Sequence, residues 1–354
     1  MDDLRTGLSY GDVLLVPQRS PVDSRNDVDL STRLTDDIEL DTPLLSAPMD
    51  TVTGADAALA LGRAGGFGTI HRFMTADEQA AAVERVVEAG QPVGAAVGIA
   101  EDAVTRTGAV LEAGADCVMV DVAHGHLERC LDTVERLRSE FPDADLVVGN
   151  VATPAGVEDL YAAGADCVKV GIGPGSHCTT RRVAGAGVPQ LTAVDDCADA
   201  ADDLGIPIIA DGGIRSSGDA VKALMAGADT VMMGSLFAGT EETPPEIVEA
   251  DGERYKKSRG MATTAAAAER SDKEDAAEEV DADEGVEGFT EYKGPLADVA
   301  AEFCAGIKSG LSYCGGHTIE AAREKAEFIR VEQAAKEREG AHGDHDWETV
   351  VVDD

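Results

Sequence analysis

The segment AAGADCVKVG at residues 162–171 is echoed twice, by EAGADCVMVD at 112–121 and by MAGADTVMMG at 225–234. Each copy ends a helical pattern on glycine, which takes up the left-handed conformation of a helix C-terminus without a Cβ clash, and then enters a short strand-like apolar run. That is the helix-to-strand step of a βα unit. Working outward from these copies, short apolar runs occupy 43–49, 67–72, 93–98, 117–123, 146–152, 167–173, 207–213 and 230–235, eight in all. Between most of them lie stretches such as TADEQAAAVERVVEAG and AGVEDLYAAG, with apolar residues at three- and four-residue spacing. Strands that are apolar on both faces and alternate with helices form parallel sheets, and eight of them predict an α/β fold of the closed (β/α)8 TIM-barrel type. An open doubly wound sheet is the alternative, and the lack of GxGxxG after the first run counts against it.

The chain has 354 residues, of which 68 are acidic and 29 basic, a formal charge of −39. Such a surface repels nucleic acid and anionic lipid, so neither is expected as a partner. The acidity is spread along the chain and 44% of residues are apolar, which fits a folded protein kept hydrated in a salt-rich, halophilic cytoplasm better than a disordered one. Seven cysteines without CxxC spacing form neither a disulfide framework nor a zinc site, and point to a reducing compartment. MDDLRTGLSYGDVLL has no basic segment followed by an apolar core, and no run of eighteen apolar residues occurs, so a soluble, unprocessed cytoplasmic protein is expected. The expected organisation is one catalytic barrel over 1–340, with a mobile flap at 236–294 and an acidic tail at 341–354. Two amphipathic helices, within PLADVAAEFCAGIKSGLSYCG and TIEAAREKAEFIRVEQAAKERE, should pack on the barrel.

In a barrel of this kind the chemistry sits where strands end and βα loops begin. Just past the runs stand Met49-Asp50, His71-Arg72, Asp121 with His124, Asn150, GIGPGSHC at 171–178, Asp211-Gly212-Gly213 and Gly234-Ser235. Glycine and aspartate are ordinary turn formers, but GPGS, DGG and MGS on one rim suggest a phosphate cradle, because glycine lets backbone N–H groups approach an anion closely. Cys178 ends one of these turns, where unpaired N–H groups and exposure would favour a reactive thiolate. The other cysteines read as small buried residues.

GIGPGSHCTTRRVAGAGVPQLTAV, with GDVLLVP, SAPMDTVT, GNVAT, ADGGIRSSGD, GSLFAGTEE, RGM and EGVEGFTEYKGP, resembles the family of IMP dehydrogenases and GMP reductases over nearly the whole chain. The resemblance implies redox chemistry at C2 of a purine nucleoside monophosphate, with NADPH or NAD as cofactor and Cys178 as the nucleophile that forms a thioimidate. It implies that Met49, Ser176, Asp211, Gly213, Gly234, Ser235 and Met261 bind substrate, with Asp211 on the ribose and Met261 at the base. Asp121 and Asn150 then line the nicotinamide site, Thr180 and Glu284 form a proton-transfer dyad, and the carbonyls of Gly173, Gly175 and Cys178 hold a potassium ion. A square homotetramer is implied as well.

The two activities diverge after the covalent step, because only the dehydrogenase must hydrolyse it. The family's dehydrogenases use an Arg-Tyr pair on the flap for that step; here Arg270 is followed by Ser271. The regulatory module that commonly follows the second barrel helix is missing too, since VERVVEAG runs directly into QPVGAAVG. Both features favour GMP reductase. RRVAGAGVPQLTAV, GSLFAGTEETPPE and SYCGGHTIEAAREKAEF look more like dehydrogenases, which keeps IMP dehydrogenase as the alternative. Ser258 at the family's phosphate-binding tyrosine and Ala262 at a glycine leave a third reading, a nucleotide-binding protein without turnover. His177 stands where the family has an apolar residue, and either points away from its neighbour or lowers the thiol's pKa.

Overall fold

The computed structural model describes residues 4–261 and 285–335. All eight apolar runs are strands: β1 (Leu44–Ser46), β2 (Phe67–Ile70), β3 (Val93–Val97), β4 (Cys117–Asp121), β5 (Asp145–Val151), β6 (Cys167–Val170), β7 (Ile208–Asp211) and β8 (Thr230–Met233). Each pairs in parallel with the next, and β8 closes on β1. Helices α1 (Ala55–Arg63), α2 (Ala76–Glu88), α3 (Ala103–Glu112), α4 (Glu128–Glu140), α5 (Pro154–Ala163), α6 (Gln190–Leu204), α7 (Ser217–Met225) and α8 (Leu296–Cys314) follow the strands in order. This is the (β/α)8 barrel that the repeated segment implied. No described helix is long and apolar enough to cross a membrane.

The repeat works the same way in all three places. Gly114, Gly164 and Gly227 have φ of +95°, +114° and +111°, and the alanine after each donates back to the last helical turn, at Val110, Leu160 and Ala223. Both the back-bonding and the positive φ are those of a Schellman ending. The aspartate that follows then ties two strands together. Asp116, Asp166 and Asp229 accept the N–H of Val93, Leu146 and Ile208, at 2.8, 2.7 and 2.9 Å, so each repeat pins the start of its own strand to the start of the strand before it.

Alternation along each strand sorts the side chains. Val118, Val120, Val168, Val170, Ile208 and Ala210 pack outward in the large core with the helices, while Cys117, Met119, Cys167 and Ile209 point into the barrel with Leu45, Phe67, Val147 and Met232. Leu34 and Leu40, on and beside a short hairpin of Thr32–Arg33 and Glu39–Leu40, join that interior layer.

One expectation needs correction. The second carboxy-terminal helix is interrupted: α9 covers Ile319–Arg323, Phe328–Arg330 is a strand paired antiparallel with Val13–Leu15, and helix resumes at 333–335. The helical period was there, but the amino-terminal strand needs partners for its backbone groups, and that tertiary pairing prevails over local propensity. The excursion after β8 contains an antiparallel sheet of β9 (Ile247–Ala250), β10 (Glu253–Arg259) and β11 (Glu287–Glu291). It is fastened to the barrel by Arg259, 4% exposed, which donates to the Asp50 carboxylate after β1. The buried Lys256 ammonium donates to the carbonyls of Glu241 and Thr243, each at 2.8 Å. Ala262, Arg270, Ser271, Glu284 and the tail at 341–354 lie outside the described residues.

Candidate active site

The inward parity of β4, β6 and β7 continues one layer beyond Met119, Cys167 and Ile209 and places Asp121, Lys169 and Asp211 together at the C-terminal mouth of the barrel. Lys169 is 1% exposed. Its ammonium donates to Asp121 Oδ1 and Asp211 Oδ2, both at 2.7 Å, and to Asn150 Oδ1. Asn150 completes the cluster by donating from Nδ2 to Asp211 Oδ2 at 2.9 Å and to the Gly171 carbonyl at 2.8 Å. Burial by itself pulls the Lys169 pKa down, but the two carboxylates outweigh it and hold the ammonium above its ordinary range. One cation thus fixes three acceptors contributed by β4, β5 and β7.

Beside this cluster a cavity opens between the loops after β1, β6, β7 and β8, with the start of the flap closing one side. Met49, Gly175, Ser176, Cys178, Asp211, Gly213, Gly234, Ser235 and Met261 all line it, as do His177 and Arg215. Gly212 and Gly213 have φ of +84° and +76°, two consecutive left-handed residues that a side chain would strain. Among the described residues, the backbone N–H groups of Ser176, Gly213 and Ser235 donate no hydrogen bond. Three unpaired donors on one cavity wall form a ready anion cradle.

Cys178 sits at the edge of this cradle. Its thiol donates to Thr180 Oγ1 at 3.2 Å, and its backbone forms an isolated antiparallel bridge with Gly285 on the returning flap. The Val286 N–H donates to the His177 carbonyl at 2.9 Å, which seats the flap directly on the cysteine turn. Of the seven cysteines only Cys178 is exposed. Burial drives the others upward, well above the ordinary thiol range for Cys117 and Cys167, to about 11 for Cys130 and Cys304, to about 12 for Cys197, and upward also for Cys314. Brief treatment of the folded protein with iodoacetamide at about pH 7.5 is therefore expected to label one thiol per chain, and peptide mapping should find it at Cys178. Dominant labelling at any other cysteine would contradict the assignment.

Gly173 lies outside the cavity lining, and Asp121 and Asn150 reach the site through Lys169 rather than along its wall. Lys169 itself was missed by sequence reasoning, although a lysine inside the apolar run CVKV, in step with Asp121 and Asp211, was a readable signal. Arg215 was missed as well; it stands in an ordinary loop and offered none.

Against this geometry, the model of the IMP dehydrogenase / GMP reductase domain matches residues 7–342. The chain belongs to that family. Its relatives carry both names. An inosine-5′-monophosphate dehydrogenase of Nitrosopumilus maritimus (strain SCM1) is 36% identical over 94% of this chain and 97% of the relative. A GMP reductase of Leishmania donovani is 33% identical over 96% and 97%. Among solved structures, a cysteine-to-alanine variant of GMP reductase from Trypanosoma brucei, in complex with guanosine 5′-monophosphate, superimposes with a TM-score of 0.91 at 31% identity, covering 97% of this chain and 99% of that one. The Nitrosopumilus alignment runs over 462 positions, more than the 354 residues here, so that relative of the family carries residues with no counterpart in this chain. In this family member α2 ends at Glu88 and β3 begins at Val93, leaving no room between them for an inserted module.

Proposed function

We propose that this chain is a GMP reductase, converting GMP, NADPH and two protons to IMP, NADP+ and ammonium through a covalent bond between Cys178 and C2 of the purine. The observation that carries the covalent chemistry is the single exposed thiol, hydrogen-bonded to Thr180 at the rim of a cavity with unpaired amides. The sulfur attacks C2, and the 2-amino group departs as ammonia after taking a proton delivered along Thr180 and Glu284. Thr180 is within reach of the sulfur, and Gly285, the residue next to Glu284, pairs with Cys178. General acid–base help of this kind contributes ~10²–10⁴-fold in rate. The amides of Ser176, Gly213 and Ser235 receive the phosphate, Gly234 lets Met49 approach, Asp211 receives the ribose, and Met261 covers the base.

The donor set fits a nicotinamide cofactor. Asp121 Oδ1 is committed to Lys169, whereas Oδ2 has no partner among the described residues, and a carboxamide NH2 needs such an acceptor. A nicotinamide held there would supply hydride to C2, and the Cys178 sulfur would then leave that carbon as IMP is released. Asp121 and Asn150 would hold the carboxamide, Asn150 through the remaining lone pair of Oδ1 because its Nδ2 already donates to Gly171 and Asp211, and Lys169 keeps both oriented.

Ser271 in place of a tyrosine favours the reductase, because no Arg-Tyr pair is left to activate water for hydrolysis of the adduct. The identities favour IMP dehydrogenase as a second reading, since an inosine-5′-monophosphate dehydrogenase of Aquifex aeolicus (strain VF5) reaches 37%. Coupled assays of GMP with NADPH and of IMP with NAD+, each at high KCl, decide the matter. GMP-dependent NADPH oxidation with release of ammonia is expected; XMP formed from IMP would replace the reductase with the dehydrogenase. Binding of either nucleotide without turnover would leave the third reading.

The same proposal includes a potassium ion on the carbonyls of Gly173, Gly175 and Cys178. Those of Gly173 and Cys178 accept no hydrogen bond among the described residues, while that of Gly175 takes the Cys178 N–H. Carbonyl rings of this type replace the hydration shell of potassium. A homotetramer working in a salt-rich cytoplasm completes the proposal, supported by the family pattern and the charge of −39.

A further inference from the structure

Among the described residues that line the cavity, Asp211 is the only carboxylate and Arg215 the only guanidinium, and no lysine joins them. Asp211 is held by Lys169 and Asn150. The Arg215 guanidinium, exposed on the loop after β7, has no hydrogen bond or ion pair among the described residues. What is held there is the backbone. The Arg215 N–H donates to Asp219 Oδ2 at 3.0 Å, and the Asp219 N–H donates to Ser216 Oγ at 3.3 Å. Asp219 thus places its own carboxylate at the positive end of α7, so the helix terminus is already satisfied and the Arg215 side chain is the loop's open cation.

A dianion entering the cavity meets opposing charge. Lys169 brings one ammonium to two carboxylates, Asp121 and Asp211, so the cluster beside the cavity stays net negative, and the chain as a whole carries −39. The open amides of Ser176, Gly213 and Ser235 are neutral dipoles. The Ser176 hydroxyl is shared with His177, whose Nδ1 lies 3.2 Å from it while Nε2 lies 3.0 Å from Ser258 Oγ. Cations on the flap are committed as well: Lys293 donates to the carbonyls of Ser235 and Leu236 at 2.6 and 2.8 Å, Lys257 pairs with Glu287 at 3.2 Å, and Arg259 donates to Asp50. Backbone dipoles can orient an anion, but offsetting its charge against this background takes a full opposite charge.

We propose that Arg215 is a specificity-determining residue, whose guanidinium pairs with the 5′-phosphate of the substrate and makes the site select a nucleoside monophosphate over the uncharged nucleoside. This deepens the assignment of a purine 5′-monophosphate substrate and rests on it. A guanidinium presents parallel N–H groups to two phosphate oxygens at once, a fit that a lysine ammonium supplies only as a point charge. The amides of Ser176, Gly213 and Ser235 fix where the phosphate sits, and Arg215 supplies the charge that holds it there. Its exposed position at the cavity mouth also lets it meet the phosphate before the purine is seated.

Isothermal titration of GMP, IMP and guanosine into the full chain, at neutral pH and high KCl, tests this on wild type, Arg215→Gln and Arg215→Lys. Arg215→Gln is expected to weaken both monophosphates on the order of 10–100-fold, the usual worth of a hydrogen bond to a charged group, and to leave guanosine unchanged. Arg215→Lys, which keeps the charge but not the paired N–H groups, should fall between the two. Monophosphates bound equally well by wild type and Arg215→Gln, or guanosine weakened by the same factor as GMP, overturn the proposal while leaving the substrate assignment standing. A lysine variant no better than the glutamine one counts against charge as the cause. Failure of the wild type to bind either monophosphate overturns the assignment itself. Should the variants misfold, wild type treated with the arginine reagent phenylglyoxal and mapped by peptide mass spectrometry gives a second test. GMP is expected to shield Arg215, and guanosine and NADPH are not. Absence of shielding by GMP, or shielding by NADPH alone, which would give Arg215 to the cofactor, overturns the proposal.

Discussion

Cys178→Ala is expected to abolish turnover, with a loss on the order of 10⁴-fold or more, the effect of removing a nucleophile that splits one difficult step into two. Nucleotide binding should survive. The anion cradle is made of backbone N–H groups on three separate loops, and the cysteine contributes its side chain only to Thr180. The fold should survive too, because Cys178 is exposed and takes no part in the core. Stopped-flow binding of GMP and steady-state assays in both directions of the chemistry measure the two consequences separately. Residual activity within about a factor of ten of wild type would remove the covalent mechanism, and a loss of binding equal to the loss of rate would make the thiol a binding group instead.

Lys169→Met is expected to destabilise the protein by about 3–5 kcal/mol, the usual cost of removing one partner from a buried ion pair and leaving the other uncompensated. Here two carboxylates, 27% and 22% exposed, would face each other across the hole that the ammonium filled. Against a total stability of ~5–15 kcal/mol, that is a large share. The sign with pH follows from the raised lysine pKa. The contribution is complete at any pH below the unfolded lysine value and is lost as pH climbs through the folded one, so the difference between wild type and variant stays constant from neutral to mildly alkaline pH and shrinks only in strong alkali. Urea unfolding at about pH 7.5 and above about pH 10.5 tests this. The triple change of Lys169→Met with Asp121→Asn and Asp211→Asn should regain most of the stability without regaining activity, since it removes the stranded charges but also the carboxylates proposed as acceptors for ribose and carboxamide. A Lys169→Met protein as stable as wild type would show that the cluster carries no net electrostatic support.

The barrel was legible because its cues are local. A GAD that follows a helical period ends the helix on its glycine and brings the aspartate within reach of the preceding strand, so Gly114, Gly164 and Gly227 marked three of the strand entries directly. Gly54, in the GAD at 54–56, instead caps the start of α1. The loops after the strands were legible for the same reason, and nine of the residues singled out there and on the flap line one cavity. The flap sheet was not. Its strands are short and polar, with exposed residues throughout β9, and Lys256 is held by the turn at Glu241 and Thr243 and Arg259 by Asp50 on the barrel rim, rather than by any pattern of their own. The strand at Phe328–Arg330 was hidden likewise, because its partner lies at the other end of the chain.

The sequence by itself determined the order of elements, the parity that points Asp121, Lys169 and Asp211 into the barrel, and the solitary cysteine in a glycine turn, all consequences of residue spacing and backbone sterics within one βα unit. Tertiary structure alone decided that one ammonium joins Asp121, Asn150 and Asp211, and that His177 meets Ser258. These depend on which strands become neighbours when a sheet closes and where a flap lands, and the strength of each charge or hydrogen bond is set by the burial that closure creates.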